Sequence, residues 1–524
     1  METRIKNQVM TFFKIGGFHL RSEIAMLVVD KAKVLSDQKR KEFIDRIYSS
    51  IQNQTLETAN IEKGHMLAAI RECTQGRYNE DNETVFSVIN AFDVPACQYS
   101  RESKKFILKK NPKNILPSAD SRSEYIRERY HTILQRILRH DLFAPNINEN
   151  IKTLDNNQRK FTLKYAENLL STSTLKEVVM LGLLSKFKEG KFYLEDPSGT
   201  IPIDLSEAKF HSGLYTEGAF VLAEGSYNDG ILKVSGLGFP PPEAAASSRA
   251  YFGNLNYWGG QSSSLLKHSK SLLEFERLNF GGTIIFLSDC WLDDPKVIEK
   301  LKKLFMGFDD TPPIAIIMMG PFLKNKENIS GLRRKFALLG EILDSTFSLK
   351  NETHIVLVPD IEDPNSANIL PRPPLPTALV QDFMRRNKRV ILATNPCRLQ
   401  YCTQQIVVCR MELLKKLCRN TIKFPEEGQL ADHFARTLIC QGTLAPFTQL
   451  VMPTYWDFDP ALSLYPLPDL IVMGDKTTDF QKIHSDCIII NTGSFPRSKF
   501  SFKLYMPGTR TIEDSQIPDD EENE

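Results

Sequence analysis

Ile314-Ala315-Ile316-Ile317-Met318-Met319 is the stretch that most narrows what this chain can become. Side chains along a strand point alternately to opposite faces, so an unbroken apolar run cannot lie on a sheet with one wet side. It needs cover on both faces, as in a sheet layered between helices or against a second sheet. Thr283–Ser288, His354–Pro359, Arg389–Thr394, Gln405–Arg410, Leu470–Gly474, Cys487–Asn491 and Ser501–Tyr505 are further strand candidates. Lys296–Phe305, Arg334–Leu343, Glu412–Arg419 and Asp432–Gln441 carry helical spacing between them. A layered α/β sandwich is predicted over residues 281–508.

Upstream the period changes. Val178–Leu184, Phe192–Leu194, Ile201–Leu205, Ala219–Glu224 and Ile231–Leu237 are short runs of strand composition, and Asp196-Pro197-Ser198-Gly199 is a turn between two of them. Five strands so closely spaced predict a small OB-type β-barrel over residues 161–242. Such barrels can bind single strands through aromatics in a basic groove. Here Phe187, Phe192, Tyr193 and Tyr227 are interleaved with Glu189, Glu195, Asp196, Glu217 and Glu224, which favours a structural barrel over a strand-binding one.

The first residues read as helices. Ile5, Val9, Phe12 and Phe13 form one stripe that Gly16-Gly17 ends, and Ile24, Leu27, Val28 and Leu35 form the next after Ser22. Phe43, Ile44, Ile47 and Ile51 mark a third helix, Ile61 to Arg71 a fourth, and Val85, Val88, Ile89 and Phe92 a fifth. A small all-α domain over residues 1–93 is predicted. Residues 94–160, broken by Pro95, Pro112, Pro117 and Pro145, read as a linker with one helix from Tyr125 to Arg139. The four arginines and two histidines in Arg127–His140 are expected on a solvated basic face. Residues 243–280, opened by Pro240-Pro241-Pro242, read as a connector, and 509–524 as an acidic, disordered tail.

Bulk properties exclude several classes. A length of 524 residues implies two to four domains, and a net charge of +2 excludes a chain that grips phosphate over its whole surface. Nine cysteines without a Cys-x-x-Cys pair read as free thiols in the cytosol or nucleus. Met1 to Leu20 is neither signal peptide nor anchor, and no apolar run is long enough to cross a membrane. Cys397, Cys402, Cys409 and Cys418 lack the spacing of paired zinc ligands and are expected to pack. His433 and His484 are isolated, and no P-loop or dinucleotide fingerprint is present.

Functional groups of open α/β sheets gather just past the C-terminal ends of strands. Those positions here hold Asp289-Cys290-Trp291, then Gly320-Pro321, then Asp360-Ile361-Glu362-Asp363, then Gly474-Asp475-Lys476-Thr477. The series resembles the motifs of calcineurin-like metallophosphoesterases: Asp-x-His, Gly-Asp, Gly-Asn-His-Asp/Glu and Gly-His-x-His. In that family these residues hold two metal ions that activate water and clamp phosphoryl oxygens. The match is mostly negative. Asp289 keeps the first aspartate, Trp291 stands at the histidine, and Pro321 at the bridging aspartate. Ile361 and Glu362 replace the asparagine and histidine, and Asp475 and Thr477 the two histidines of the last motif. An indole and a pyrrolidine offer no lone pair to a cation. The resemblance implies an inactivated phosphoesterase sandwich with no cofactor, and Asp289 as a buried strand-end residue bonding nearby backbone N–H groups.

Longer strings point further. Tyr193-Leu194-Glu195-Asp196-Pro197-Ser198-Gly199-Thr200, Phe210-His211-Ser212-Gly213-Leu214-Tyr215, Tyr251-Phe252-Gly253-Asn254, Ile369 to Leu375, Thr394 to Thr403, Tyr465 to Leu470 and Gly493 to Arg497 resemble the B (accessory) subunits of eukaryotic replicative DNA polymerases. The N-terminal helices place the resemblance in the epsilon branch. Asp360 departs from the family, which places Gly after the proline. The resemblance implies a nuclear, non-catalytic scaffold for DNA replication and repair. Barrel and sandwich together are implied to clasp the C-terminal domain of the DNA polymerase epsilon catalytic subunit. The helical domain, similar to an AAA+ lid, is implied to tether the enzyme to the replicative helicase through GINS, with residues 94–160 as a flexible tether. Small histone-fold subunits would be met indirectly, and DNA mainly through the complex. Two alternatives stay open on the residues alone: a divergent active phosphoesterase or nuclease, and a single-strand-binding OB protein.

Overall fold

Every residue of Ile284–Ser288 and Ala315–Met319 is buried, as unbroken apolar strands require. The computed structural model describes residues 2–33, 37–53, 60–74, 84–144, 161–188, 190–262, 264–325, 331–364 and 367–518. One six-stranded sheet runs Val390–Leu392, His354–Val358, Ala315–Met319, Ile284–Ser288, Ser501–Met506, Thr511–Gln516. Its first four strands are parallel and the last two antiparallel. The second runs Phe480–His484, Cys487–Asn491, Leu470–Met473, Gln404–Cys409, Cys397–Tyr401, Phe86–Asn90, again with mixed directions.

Alternation along each strand fixes the layers. Phe286, Ile317, Met319, Val356 and Val358 of the first sheet share a core with Leu399, Tyr401, Ile406, Val408, Val472 and Ile490 of the second. The opposite side chains, Ile285, Leu287, Ile316 and Met318, meet Leu301, Phe305, Phe336 and Phe383 from helices Pro295–Gly307, Leu332–Asp344 and Thr377–Arg386. Outside the second sheet, Val407, Ile471, Met473 and Ile489 pack with Phe434 and Leu438 of helix Leu430–Gln441. The result is a four-layer α/β/β/α sandwich. Asp294 caps the helix Pro295–Gly307 by accepting from the Lys296 N–H, and Gly442 (φ 63°) ends Leu430–Gln441 in the left-handed conformation.

The barrel strands are Thr174–Lys188, Lys191–Asp196, Gly199–Asp204, Phe220–Asn228 and Ile231–Gly238. Successive antiparallel pairings are closed by parallel pairing of Leu232 and Lys233 with Ile203 and Asp204. Gly225 sits at a bulge where a Cβ would come within 2.0 Å of the Lys233 carbonyl oxygen. Barrel and sandwich are joined by buried polar contacts. The Gln441 side chain pairs with both the N–H (2.8 Å) and carbonyl (2.7 Å) of Phe220, and the Gly213 N–H donates to His433 Nδ1 at 2.9 Å.

Several expectations change. The N-terminal helices Glu2–Ile15, Ser22–Ala32, Asp37–Asn53 and Lys63–Thr74 surround one core, but a short parallel pair, His19–Leu20 with Asn60–Ile61, lies among them. The expected fifth helix is instead the strand Phe86–Asn90, paired with Cys397–Tyr401. Phe86 and Val88 face the inter-sheet core while Ile89 faces the outer one, so cover on both sides imitated a helical stripe. Residues 94–144 do not hang free. They contain the hairpin Cys97–Ser100/Lys105–Leu108 and the helix Ala119–Arg139, whose Tyr130, Ile133, Leu134 and Ile137 pack on Leu181 and Phe220 of the barrel. Arg127 is exposed as expected, but the other three arginines of Arg127–His140 do not form a solvated face. Arg129 bonds Asp459 (Nε to Oδ2, 2.9 Å), Arg139 pairs with Glu243 at 2.7 Å, and Arg136 is buried. The connector holds buried Phe252, Tyr257, Trp258 and Leu265. The tail begins later than expected, because Thr511–Gln516 is a strand beside Ser501–Met506; residues 519–524 lie outside the described residues, as do 145–160 of the expected tether.

Candidate functional site

The degenerate strand ends do converge, as the sheet topology requires. Asp289 follows Ile284–Ser288, Gly320-Pro321 follows Ala315–Met319, Asp360 follows His354–Val358, and Gly474-Asp475 follows Leu470–Met473. What lies among them is Arg410, from the end of the neighbouring strand Gln404–Cys409. Its side chain is fully buried. Nη2 donates to Asp289 Oδ1 at 2.5 Å, Nε lies 3.2 Å from Asp360 Oδ2, and further bonds run to the carbonyl oxygens of Gly320 and Gly474. A Cβ at Gly474 would stand 2.9 Å from Arg410 Cδ, so glycine there makes room for the arginine.

Asp289 therefore does not sit on backbone N–H groups, as expected, but on a cation. Its second oxygen accepts from the Ser494 hydroxyl at 2.5 Å, and its φ of 58° holds it in the left-handed region. The physical reason is charge: a carboxylate with no solvent contact needs a buried countercharge. For Arg410, burial works against the ionised form, but Asp360, Asp289 and Asp475 together outweigh it and hold the guanidinium above its ordinary value.

The remaining motif positions are spent on backbone. Asp363 accepts from the Phe322 and Asp360 N–H groups, both at 2.8 Å, and burial pushes its carboxyl up to about 7. Asp475 accepts from Leu414 N–H (2.9 Å) and Thr477 N–H (3.0 Å), and burial raises it too. Asn395 locks the arginine's own backbone: Oδ1 accepts from Arg410 N–H at 3.0 Å, and Nδ2 donates to the Arg410 and Pro359 carbonyls. Trp291 and Pro321 are buried, Ile361 is exposed, and Thr477 is half-buried. Glu362 and Glu412 share Lys476 at 3.7 and 3.2 Å above the site.

A binuclear metal centre needs imidazole and carboxylate donors around an open space. The residues here do not fit one. A fixed guanidinium lies among the carboxylates, and among the described residues no group of three or more His, Cys, Asp or Glu is placed to hold a metal ion. Chemically, the cluster is an internal ion-pair network that ties four strand ends together. Sequence reasoning misses Arg410 because it takes the strand-end rule to four tips and not to Gln405–Arg410, where a strand is already predicted. Cys397, Cys402 and Cys409 are buried in cores, with burial pushing the last two thiols up to about 12. Of the barrel aromatics, Tyr227 is buried and Phe187 exposed.

Comparison with known proteins places this barrel and sandwich among the accessory B subunits of DNA polymerases. A family model described as the B subunit of DNA polymerase alpha/epsilon matches residues 284–482. Models described as the OB-fold domain of DNA polymerase epsilon subunit 2-like proteins and as DNA polymerases epsilon N terminal match 119–241 and 1–73. The chain is 49% identical to DNA polymerase epsilon subunit 2 of Drosophila melanogaster, over 98% of both chains. It is 39% identical to the subunit of that name in Homo sapiens, over 98% of this chain and 99% of the other. Against the DNA polymerase epsilon B subunit of Arabidopsis thaliana the identity is 30%, over 98% and 99%. The chain belongs to the DNA polymerase epsilon subunit 2 family.

Proposed function

We propose that this chain is the non-catalytic accessory subunit of DNA polymerase epsilon, and that its phosphoesterase-like sandwich is a scaffold rather than an active site. The observation that carries this reading is Arg410, whose buried guanidinium lies where a hydrolytic centre would need exchangeable cations. Barrel and sandwich, fastened through Gln441 and His433, present a continuous body for the C-terminal domain of the catalytic subunit. The N-terminal helices carry a second attachment, to the replicative helicase through GINS. Residues 94–144 pack within the body and so do not serve as part of the expected 94–160 tether. Histone-fold subunits are reached indirectly and DNA mainly through the complex, in the nucleus, during replication and repair.

The test is co-expression with the catalytic subunit's C-terminal domain. Stable co-purification is the expected result, and failure to co-purify overturns the reading. Hydrolysis of bis-p-nitrophenyl phosphate with manganese, abolished by Asp289→Asn, would instead establish an active phosphoesterase.

A further inference from the structure

Helix Ala119–Arg139 covers Leu181 and Leu183 on the long barrel strand Thr174–Lys188, but from Lys186 to Lys188 that strand is exposed. Its antiparallel partner is Lys191–Asp196. Ser185 stands opposite Tyr193 and Lys188 opposite Lys191, with a register shift between the two pairs. Such an irregularity re-aims the side chains within it. Phe187 lies there, 61% exposed, with its ring centroid 5.2 Å from that of Tyr193. Lys186 and Lys188 flank it in the chain, and Lys191 faces Lys188 across the ladder. All three lysines are exposed, and none is paired with a carboxylate among the described residues.

Like charges directly opposite each other destabilise an antiparallel pair, so Lys188 and Lys191 carry a cost that an anion would relieve. The acids that the sequence interleaves with the barrel aromatics are engaged away from these lysine side chains. Asp196 accepts from the N–H groups of Ala166 and Gly199 at 2.8 and 3.0 Å, and Glu217 from the backbone N–H of Lys186 at 3.3 Å. Glu195 stands opposite Leu183 and Thr200, and Glu224 opposite Val179 and Gly236. Glu189 lies outside the described residues. What the fold leaves at the end of this hairpin is an exposed aromatic face among cations, the pairing of stacking surface and phosphate contacts by which single strands are held.

We infer that this hairpin is a direct contact site for single-stranded nucleic acid. A base stacks on Phe187, backed by Tyr193, while Lys186, Lys188 and Lys191 meet the phosphates. The inference goes beyond the scaffold role and does not depend on it. The full chain would be titrated against a fluorescein-labelled oligodeoxythymidylate of about 15 nucleotides, and against a duplex of the same length, reading anisotropy at about 50 and 200 mM salt. Three phosphate contacts at about 0.7 counterions each give a log–log slope of about −2, so single-strand affinity should fall about 20-fold over that range. Lys188→Gln should make the slope shallower by about 0.7. Phe187→Ala should weaken binding about tenfold with the slope unchanged, because it removes stacking and no charge. Both side chains are exposed, so neither change opens the core. Preference for the single strand together with these two responses supports the inference. No saturable binding, equal affinity for the duplex, or affinity and slope unchanged in both variants overturns it. So does loss of co-purification with the polymerase's C-terminal domain in Phe187→Ala at unchanged oligonucleotide affinity, which would make the hairpin a protein contact instead.

Discussion

Replacing Arg410 by methionine keeps an unbranched side chain of similar reach and removes only the guanidinium. Asp289, with no solvent contact, then loses its countercharge, and Asp360 loses a cation 3.2 Å away. Breaking a buried pair from one side costs about 3–5 kcal/mol, because the remaining charge stays buried alone. The carbonyl oxygens of Gly320 and Gly474 lose their donor as well, each such loss being worth about 1–3 kcal/mol. The effects share one site and do not add, so a total of about 5 kcal/mol is expected. Set against a typical domain stability of about 5–15 kcal/mol, the variant should sit near the edge of folding. Urea denaturation followed by tryptophan fluorescence reads this directly, since Trp291 is buried beside the site and Trp258 in the adjoining core. The midpoint should fall with little change in slope. Adding Asp289→Asn removes the orphaned charge, tolerates the positive φ, and should restore part of the loss. A loss below about 1 kcal/mol in Arg410→Met, or no recovery in the double variant, would refute the claim that the guanidinium holds these strand ends together.

Three further outcomes follow from particular contacts. Burial raises the folded-state pKa of Asp363 to about 7, so its contribution to stability is full below the ordinary carboxylate range of about 4, declines as pH rises, and is lost above about 7. Asp363→Asn should flatten the decline in urea midpoint across that window; an unchanged pH profile would count against the assignment. Gln441→Ala leaves both backbone groups of Phe220 unpaired at the barrel–sandwich junction, at a cost of about 1–3 kcal/mol. Scanning calorimetry should show the barrel transition moving ahead of the sandwich transition, and coincident, unshifted transitions would argue against the coupling. Removal of residues 1–83 should leave a monomeric body, whereas removal of 1–93 uncovers the edge of Cys397–Tyr401 and should produce aggregates by light scattering. Identical behaviour of the two truncations would deny Phe86–Asn90 its role as cover strand.

Local pattern was enough wherever one element's burial is uniform. Ile314 to Met319 could be nothing but a doubly covered strand, and the alternation between Val178 and Leu237 could close only as a small barrel. The degenerate strand tips could also be read directly, since Trp291 and Pro321 cannot ligate a cation wherever they lie. Phe86–Asn90 could not be read, because its cover comes from two cores assembled by residues hundreds of positions away. Its apolar spacing therefore records neighbours rather than its own backbone period. Arg410 is the same problem in electrostatic form: an arginine after an apolar strand looks like a solvated terminus until Asp289 and Asp360 are brought to it across both sheets. The same holds for the helix Ala119–Arg139, whose Arg129 and Arg136 read as part of a wet face and are instead bonded to Asp459 and the Cys440 carbonyl. The sequence alone determined the main strands and helices of barrel and sandwich and the broken motifs, because those are carried by neighbours in the chain. Tertiary structure decided where charge is buried and by what it is neutralised, because Coulomb partners are chosen by distance in space.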